Sequence, residues 1–201
     1  MNFLAHLFLS GSNDDWMVGN YLGDFLNKRQ IINLREEVRK GVELHRLIDS
    51  FTDTHPEVEK ACGIFRSKHR KYAPILVDIY FDYLLSKNWN RFSAVPLRTF
   101  ADQAYRILLQ AAPTFPKATM DQTQRMIAGD WLMSYGKYQG LEFVMNKLKN
   151  RVSKPDQLDD AVETMKEHEK KLNEYFMSFF PDLISKCTAF GACINLQNEV
   201  K

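Results

Sequence analysis

Apolar residues recur at steps of three and four positions in nearly every segment of this 201-residue chain. Such spacing places them on one face of an α-helix, and no segment alternates apolar and polar residues long enough to indicate a β-strand. The most apolar segment, APILVDIYFDYLLSKNW, covers residues 73–89. We therefore predict an all-α fold with this helix at its centre.

Other helices are predicted on both sides of that segment. The residues NDD before WMVGNYLGDFL are candidate helix caps, and Pro56 is typical of a first helical position. From Pro155 onward the apolar spacing predicts a long amphipathic helix, interrupted only at Glu169. We expect one domain over residues 1–187 and a loosely ordered tail over residues 188–201. The remaining helices are predicted at the start of the chain and near residues 35–51, 97–110, 121–135 and 141–149.

The run GVELHRLIDSFTDTHPE, residues 41–57, is unusually dense in acidic and imidazole groups. His45 and Asp49 are four residues apart, so on a helix they project from one face and can share a cation. Because apolar residues recur on that face, the pair is expected to point inward. Burying a carboxylate without a partner costs free energy on the order of several kcal/mol. Two interpretations stay open: a metal site, or a His–Asp pair that only orders the core.

Four more polar groups sit where the apolar spacing predicts the interior: His6, Asp24, Asp78 and Asp82. Singly, each has a structural explanation, such as a hydrogen-bonded core histidine, a helix cap or a partner for an arginine. Together with His45 and Asp49 they would leave several charges uncompensated without a cation. Mixed imidazole and carboxylate ligands suit Mn²⁺, Fe²⁺, Mg²⁺ or Zn²⁺, and the lack of thiolates argues against a structural zinc. Metal-assisted hydrolysis is the chemistry such a site performs.

Three further residues adjoin the predicted site. Asp53 and His55 follow the 35–51 helix and fit either acid–base chemistry beside the metal or a turn before Pro56. Arg46 points to another helix face and fits either phosphate binding or simple solvation. His168, in KEHEKK, is expected to be solvated, and His69 belongs to the basic run RSKHRKY.

Composition excludes several classes of protein. The net charge of +2 is too small to indicate a nucleic-acid partner. No run approaches the ~20 apolar residues that a membrane span requires, and the apolar N-terminus lacks the basic leader of a secretory signal. The three cysteines form neither a disulfide framework nor a zinc ribbon. We expect a cytoplasmic protein.

Four ordered motifs carry a family resemblance: MNFLAHLFLS, VGNYLGDFLNK, KGVELHRLIDSFTDTHPEV and APILVDIYFDYLLSKNW. Together they resemble the bacterial acyl carrier protein phosphodiesterases, which look like divergent HD-domain metallohydrolases. The resemblance implies an HD-domain-like helical bundle that removes 4′-phosphopantetheine from holo acyl carrier protein, using a divalent metal. Mn²⁺ is the expected ion, with Mg²⁺, Fe²⁺ or Co²⁺ as alternatives. Carried over by motif, the ligands are Asp24, His45, Asp49 and one or both of Asp78 and Asp82, supported by His6, Asp53 and His55.

The chain departs from the family pattern at two positions. Phe8 and Tyr83 stand where many members have histidine, which puts in doubt any second metal or proton relay at those positions. Because the carrier is acidic, the resemblance also gives the basic residues a role as its docking surface, although an ordinary solvated surface explains them equally. The docking candidates are Lys28, Arg29, Arg35, Arg39, Lys40 and Arg46, and further along the chain Arg66, Lys68, Arg70 and Lys71.

Two other functions remain open at this stage. An HD-type phosphohydrolase acting on a nucleotide or alarmone would share the metal but need no protein partner. A helical binding module would use the inward polar groups as a structural network, without catalysis. Metal content separates the binding module from both enzymes.

Overall fold

Helices make up nearly all the regular structure of residues 1–194, which are the residues that the computed structural model describes. Within them lie thirteen α-helices and three 3₁₀ turns, and no β-strand, which confirms the predicted all-α class. The 3₁₀ turns are Arg70–Tyr72, Ala112–Thr114 and Pro155–Leu158. The α-helices are α1 (Phe3–Leu9), α2 (Asp14–Leu22), α3 (Lys28–Ile32), α4 (Glu36–Thr54), α5 (Pro56–His69), α6 (Ala73–Lys87), α7 (Trp89–Phe92), α8 (Leu97–Ala111), α9 (Lys117–Ala128), α10 (Trp131–Ser134), α11 (Tyr138–Lys149), α12 (Ala161–Glu167) and α13 (Glu169–Phe190).

Helix α6 lies at the centre of a single apolar core, as its composition predicts. Tyr80 and Phe81 of α6 are fully buried, and so are Phe176 and Phe179 of α13. The ring of Phe81 packs 5.4 Å and 5.6 Å from the rings of those two phenylalanines, centroid to centroid. Since the first and last helices share this core, the described residues form one domain.

Helices α2 and α4 cross at two glycines, and this crossing positions the site described below. Gly19 of α2 packs against the backbone of α4, where a Cβ atom would overlap the carbonyl oxygen of Val38. A Cβ on Gly41 would lie 2.8 Å from Cα of Gly19. Only hydrogen at both positions lets the two backbones approach so closely.

Two predicted helices are divided in the structure. The helix predicted over residues 121–135 becomes α9 and α10, because Asp130 adopts a left-handed conformation with φ 46°. The single helix predicted from Pro155 was also wrong: a 3₁₀ turn comes first, and Asp160, with φ 54°, starts α12. The break between α12 and α13 falls at His168, next to the interruption in apolar spacing at Glu169.

The C-terminal end of the described chain is packed onto the N-terminal part. Helix α13 continues past the predicted boundary at residue 187 to Phe190, and the next residue, Gly191, has a φ of 117° that favours glycine. The backbone N–H of Ser12 donates to the carbonyl of Cys193 over 3.0 Å. The rest of the predicted tail, residues 195–201, lies outside the described residues.

Two predictions drawn from composition can be compared with the structure. Cys62 and Cys187 are buried thiols and Cys193 is an exposed one, so none of the three cysteines forms a disulfide. Among the helices of residues 1–194, none has the length and apolar character that crossing a bilayer requires.

Candidate metal centre

The helix that carries His6 is held at its start by a carboxylate on the central helix. Asp82 of α6 is fully buried and accepts hydrogen bonds at the start of α1, from the backbone N–H of Leu4 at 2.7 Å and of Ala5 at 3.3 Å. Anions at a helix N-terminus satisfy its free N–H groups and favour its dipole. Asp82 thereby fixes α1, and with it the direction in which His6 points.

Asn20 of α2 determines which nitrogen of His6 carries the proton. Its amide nitrogen donates to the carbonyl of His6 at 2.7 Å and to Oγ of Ser10 at 3.0 Å, so its oxygen faces Nδ1 of His6, 2.7 Å away. An amide oxygen only accepts, and Nδ1 is therefore the donor. In the neutral ring Nε2 then carries a lone pair, and it lies 3.2 Å from Oδ1 of Asp49.

His45 of α4 approaches the same carboxylate from the other side. Its Nε2 lies 3.1 Å from Oδ2 of Asp49, one helical turn away, and 3.6 Å from Oδ1 of Asp24. The rings of His45 and His6 stack with centroids 4.3 Å apart. Gly23 permits this arrangement, because a Cβ atom there would overlap the imidazole of His45. Helices α1 and α4 thus bring three ligand groups together, and Asp24, two residues after the end of α2, lies beside them.

The charges at this point suit a cation. Burial lowers the pKa of His6 and so favours the neutral ring with a bare Nε2. Burial alone would raise the pKa of Asp49, but its interactions with His45 and, when that ring is protonated, with His6 outweigh burial and hold the pKa well below its ordinary value. For His45 burial lowers the pKa, and the hydrogen bond and charge of Asp49 raise it by more. The ionised carboxylate therefore sits between two nitrogens.

The spacing of the donor atoms also fits a divalent metal ion. Each of His6, His45 and Asp49 offers an atom within 4.8 Å of the others. Imidazole nitrogen and carboxylate oxygen bind first-row divalent ions at about 2.0–2.2 Å, so two ligands at right angles lie about 3 Å apart. The separations of 3.1 Å and 3.2 Å agree with this geometry. The side chains of Asp49 and Asp24 are 45% and 50% exposed, which leaves the site open to water and substrate on one side.

The other two predicted carboxylate ligands have partners elsewhere. Asp78 accepts a hydrogen bond from the amine of Met1 at 2.8 Å. The carboxyl of Asp82 is turned toward the first backbone N–H groups of α1, and burial raises its pKa to about 7 against the effect of those donors. Neither belongs to the cluster of His6, His45 and Asp49. Asp82 is fully buried, whereas the side chain of Asp78 is 36% exposed.

Asp53 and His55 are likewise not part of this cluster. Asp53 is exposed near the end of α4. His55 caps α5, where its Nδ1 accepts from the backbone N–H of Glu57 at 3.2 Å, and its Nε2 lies 3.4 Å from Asp182 of α13. The sequence allowed this turn before Pro56 as the alternative, and the contacts of His55 are those of that alternative.

The two departures from the family pattern lie away from the cluster as well. Phe8 is buried against the rings of Trp89 and Phe180, at centroid distances of 5.2 Å and 6.0 Å. Tyr83 stacks on Tyr80 at 5.0 Å, and its hydroxyl donates to Glu169 over 3.4 Å. Neither position offers a group to His6, His45 or Asp49.

Sequence reasoning missed Asn20 and Gly23. Asn20 precedes Asp24 by one helical turn, so its position on the same face of α2 was readable from the spacing. Its role toward His6 depends on a contact across 14 residues. Gly23 gave no indication in the sequence, since its function is to leave room for a ring on another helix.

The amino-acid sequence of the chain matches a known protein family. The family model described as acyl carrier protein phosphodiesterase matches residues 1–183. The acyl carrier protein phosphodiesterases of Salmonella paratyphi A (strain ATCC 9150 / SARB42) and Salmonella newport (strain SL254) are each 32% identical to the chain over 187 residues. The aligned part covers 92% of this chain and 97% of each relative. No solved structure matches the chain.

Proposed function

The chain belongs to the acyl carrier protein phosphodiesterase family, and from that membership we propose that it hydrolyses the phosphodiester joining 4′-phosphopantetheine to a serine of holo acyl carrier protein. The products are apo carrier protein and 4′-phosphopantetheine, and the enzyme is a phosphoric diester hydrolase. One observation supports this function above the others: two buried imidazole nitrogens of α1 and α4 converge on the half-exposed carboxylate of Asp49.

We propose that His6, His45 and Asp49 hold a divalent cation, with Asp24 as a further ligand. The mixture of nitrogen and oxygen donors favours Mn²⁺, with Mg²⁺, Fe²⁺ and Co²⁺ as alternatives. The all-helical bundle and its His–Asp ligand set support the further proposal that the family is a divergent branch of the HD-domain metallohydrolases. Asp78 and Asp82 are left out of the proposed ligand set, because both carboxylates already have partners.

The remaining chemistry follows from the placement of the side chains. A divalent cation supplies Lewis acidity, which neutralises charge on the phosphate and lowers the pKa of water. Attack by water would form a new P–O bond on the side opposite the serine oxygen; the bond from phosphorus to that oxygen would break, and the released serine oxygen would take up a proton from water. Asp24 is half exposed beside His45 and is placed to accept the proton of the attacking water. Asp53 and His55 stay predictions as further proton-transfer groups.

Metal removal tests the proposed reaction directly. Purified protein incubated with holo carrier protein and Mn²⁺ is expected to lower the mass of the carrier by the mass of the phosphopantetheine group. The same mixture with excess chelator should leave the carrier intact, and added Mn²⁺ should restore the reaction. Intact mass spectrometry of the carrier measures both outcomes. A loss of the group that persists with chelator would contradict the metal mechanism.

The alternative substrate is a nucleotide or alarmone. We expect little hydrolysis of guanosine tetraphosphate or nucleoside monophosphates under the same conditions. If either compound is cleaved efficiently while the holo carrier stays intact, the substrate is a nucleotide and the carrier assignment is wrong.

A carrier protein also needs a docking surface, and the exposed cations near the site are the candidates. Lys28 and Arg29 on α3 and Arg46 on α4 are exposed and form no ion pair within residues 1–194. Arg39 is half-buried and likewise without an ion pair there, whereas Arg35 is bound to Asp15 at 2.5 Å. Exposed charges that lack an ion-pair partner mainly increase the rate of association with an oppositely charged protein. We propose Lys28, Arg29, Arg39 and Arg46 as the carrier-docking residues. Arg35 is expected to contribute least to carrier binding, because Asp15 already pairs with it.

Reversing two of these charges should separate docking from catalysis. The double variant Lys28→Glu with Arg29→Glu is expected to raise KM for holo carrier roughly tenfold at low ionic strength, because steering and binding weaken. Its kcat should change little, and added salt should reduce the difference. Lys170→Glu with Lys186→Glu on α13 makes the same change in net charge and serves as the control. Equal KM values for the two double variants would contradict docking at α3.

A further inference from the structure

A cavity of about 290 Å³ has Asp24, the carboxylate next to His45, among its lining residues. One wall comes from the N-terminal part of the chain, with Phe25 next to Asp24 and Asn2 ahead of α1. The other comes from α10 and α11, with Trp131 and Val144 among its residues. Asp24 thus contacts both the imidazole of His45 and the open space of this cavity. Whatever occupies the cavity lies directly beside the proposed reaction centre.

The walls combine apolar surface with a few hydrogen-bonding groups. Apolar contacts come from Phe25, Ile79 and Val144, and amide or hydroxyl groups from Gln122 and Ser134. Such a mixture is typical of sites that bind an elongated, partly polar small molecule. Only one acidic side chain, Asp24, lines the cavity, and it stands at the end next to the metal centre.

Tyr135 is the most informative of the lining residues. Tyr135 is only 3% exposed, and it lines the cavity. Burial raises the pKa of this phenol well above its ordinary value, so it stays a hydrogen-bond donor. A phenol hydroxyl in a cavity wall can donate a hydrogen bond to water or to a ligand there. The hydroxyl is therefore suited to an amide carbonyl inside the cavity.

The outer end of the cavity is aromatic and basic. Phe143 is 52% exposed, which is unusual for so large an apolar ring. The ammonium of Lys147 lies 4.2 Å from the centre of that ring and 5.0 Å from the ring of Trp131. Arg151 completes this end. Exposed apolar surface beside a cavity is typical of a ligand-binding site.

We propose that this cavity binds the pantetheine arm of the substrate, with the phosphodiester at Asp24 and the arm running along α11. The inference rests on the proposed function. The arm contains a gem-dimethyl group and two secondary amides, which match apolar walls interrupted by single hydrogen-bonding groups. Its phosphate end is anionic and needs the cation, whereas the rest is neutral and needs none. In the cavity Asp24 lies beside the metal ligands, and the apolar walls at Ile79 and Val144 suit the neutral arm. Lys147 and Arg151 are the cationic lining residues.

Filling the cavity tests this assignment without touching the metal ligands. Val144→Trp places a large side chain in the cavity, and Leu109→Trp, at a 53% exposed position on α8, is the matched control. Pantetheine, which lacks the phosphate, is the probe, and calorimetry in the presence of chelator measures its binding. We expect binding to the wild type and to Leu109→Trp, and at least about tenfold weaker binding to Val144→Trp. Mn²⁺ binding and melting temperature should stay close to wild type in both variants.

Tyr135→Phe provides a second variant that removes a single oxygen atom. Losing one neutral hydrogen bond should weaken pantetheine binding about fivefold. This variant decides the question if Val144→Trp fails to fold.

The outcomes separate this inference from the proposed function. Weaker pantetheine binding in Val144→Trp or Tyr135→Phe supports the cavity, even if holo carrier is not hydrolysed and the proposed reaction fails. Wild-type pantetheine affinity in both variants, or no binding to the wild type, overturns the cavity. In that case, hydrolysis of holo carrier by the wild type would leave the proposed function standing.

Discussion

Replacing His45 by alanine is expected to abolish phosphodiester hydrolysis, with a loss in kcat/KM on the order of a thousandfold or more. The imidazole supplies one of three converging ligand atoms, at 3.1 Å from Asp49. Without it, the cation would be held by His6 and the two carboxylates alone. Several kcal/mol of charge stabilisation in the transition state depend on that cation, as is typical of metal hydrolases.

Three measurements identify the cause of this loss. Mn²⁺ affinity should fall together with activity, and the rise in melting temperature that Mn²⁺ gives the wild type should shrink. The helical circular dichroism spectrum should stay close to wild type. His168→Ala, at an exposed position between α12 and α13, is the control and should keep both activity and Mn²⁺ binding. If His45→Ala binds Mn²⁺ as the wild type does and remains active, the metal centre is wrongly assigned.

Gly19→Ala is expected to destabilise the protein by about 3 kcal/mol or more, because one added methyl group forces α2 away from α4. The new Cβ would overlap the carbonyl oxygen of Val38, a backbone atom that no side-chain rotation can move. For a chain of this length, such a loss lowers the melting temperature by about 6–12 °C. Thermal or urea unfolding followed by circular dichroism measures it.

Gly63→Ala is the matched control for the crossing. Gly63 lies inside α5, and a Cβ atom there would have no heavy atom within 4 Å. Alanine should therefore raise stability by about 0.5–1 kcal/mol, since it restricts the unfolded chain and favours the helix. Equal unfolding free energies for Gly19→Ala and the wild type would show that the helices separate at little cost.

The sequence predicted the all-α class and the central helix because both depend on apolar spacing within single segments. The apolar run of α6 and the proline at the start of α5 are local features of this kind. Helix breaks at Asp130 and Asp160 were missed, since a left-handed conformation at aspartate is set by the packing of its neighbours. His69 shows the same limit: it belongs to a basic run, yet it is fully buried and bonded to Thr164 at 3.0 Å.

The site was predictable only in part, for a related reason. The pairing of His45 with Asp49 follows from helical spacing, and the structure brings His6 to the same carboxylate. Spacing predicted that Asp78 and Asp82 face inward; Asp82 is fully buried, whereas the side chain of Asp78 is 36% exposed, and spacing did not indicate that the start of the chain lies against them. Which inward carboxylate meets an imidazole and which meets a backbone N–H is decided by the way helices dock, and that depends on contacts far apart in the chain.

The bond from Asp82 to the start of α1 bears on the order in which the protein acquires its structure during folding. His6, Asp24, His45 and Asp49 all lie in the first quarter of the chain, and the crossing of α2 with α4 joins segments only about 20 residues apart. Asp82 reaches Leu4 across 78 residues. Helices α2 and α4 are therefore expected to pair early in folding. His6 reaches its native position only after α6 has packed against α1. The full set of donor atoms forms in a late folding step, so a newly made chain should acquire high metal affinity only after its central helix is in place.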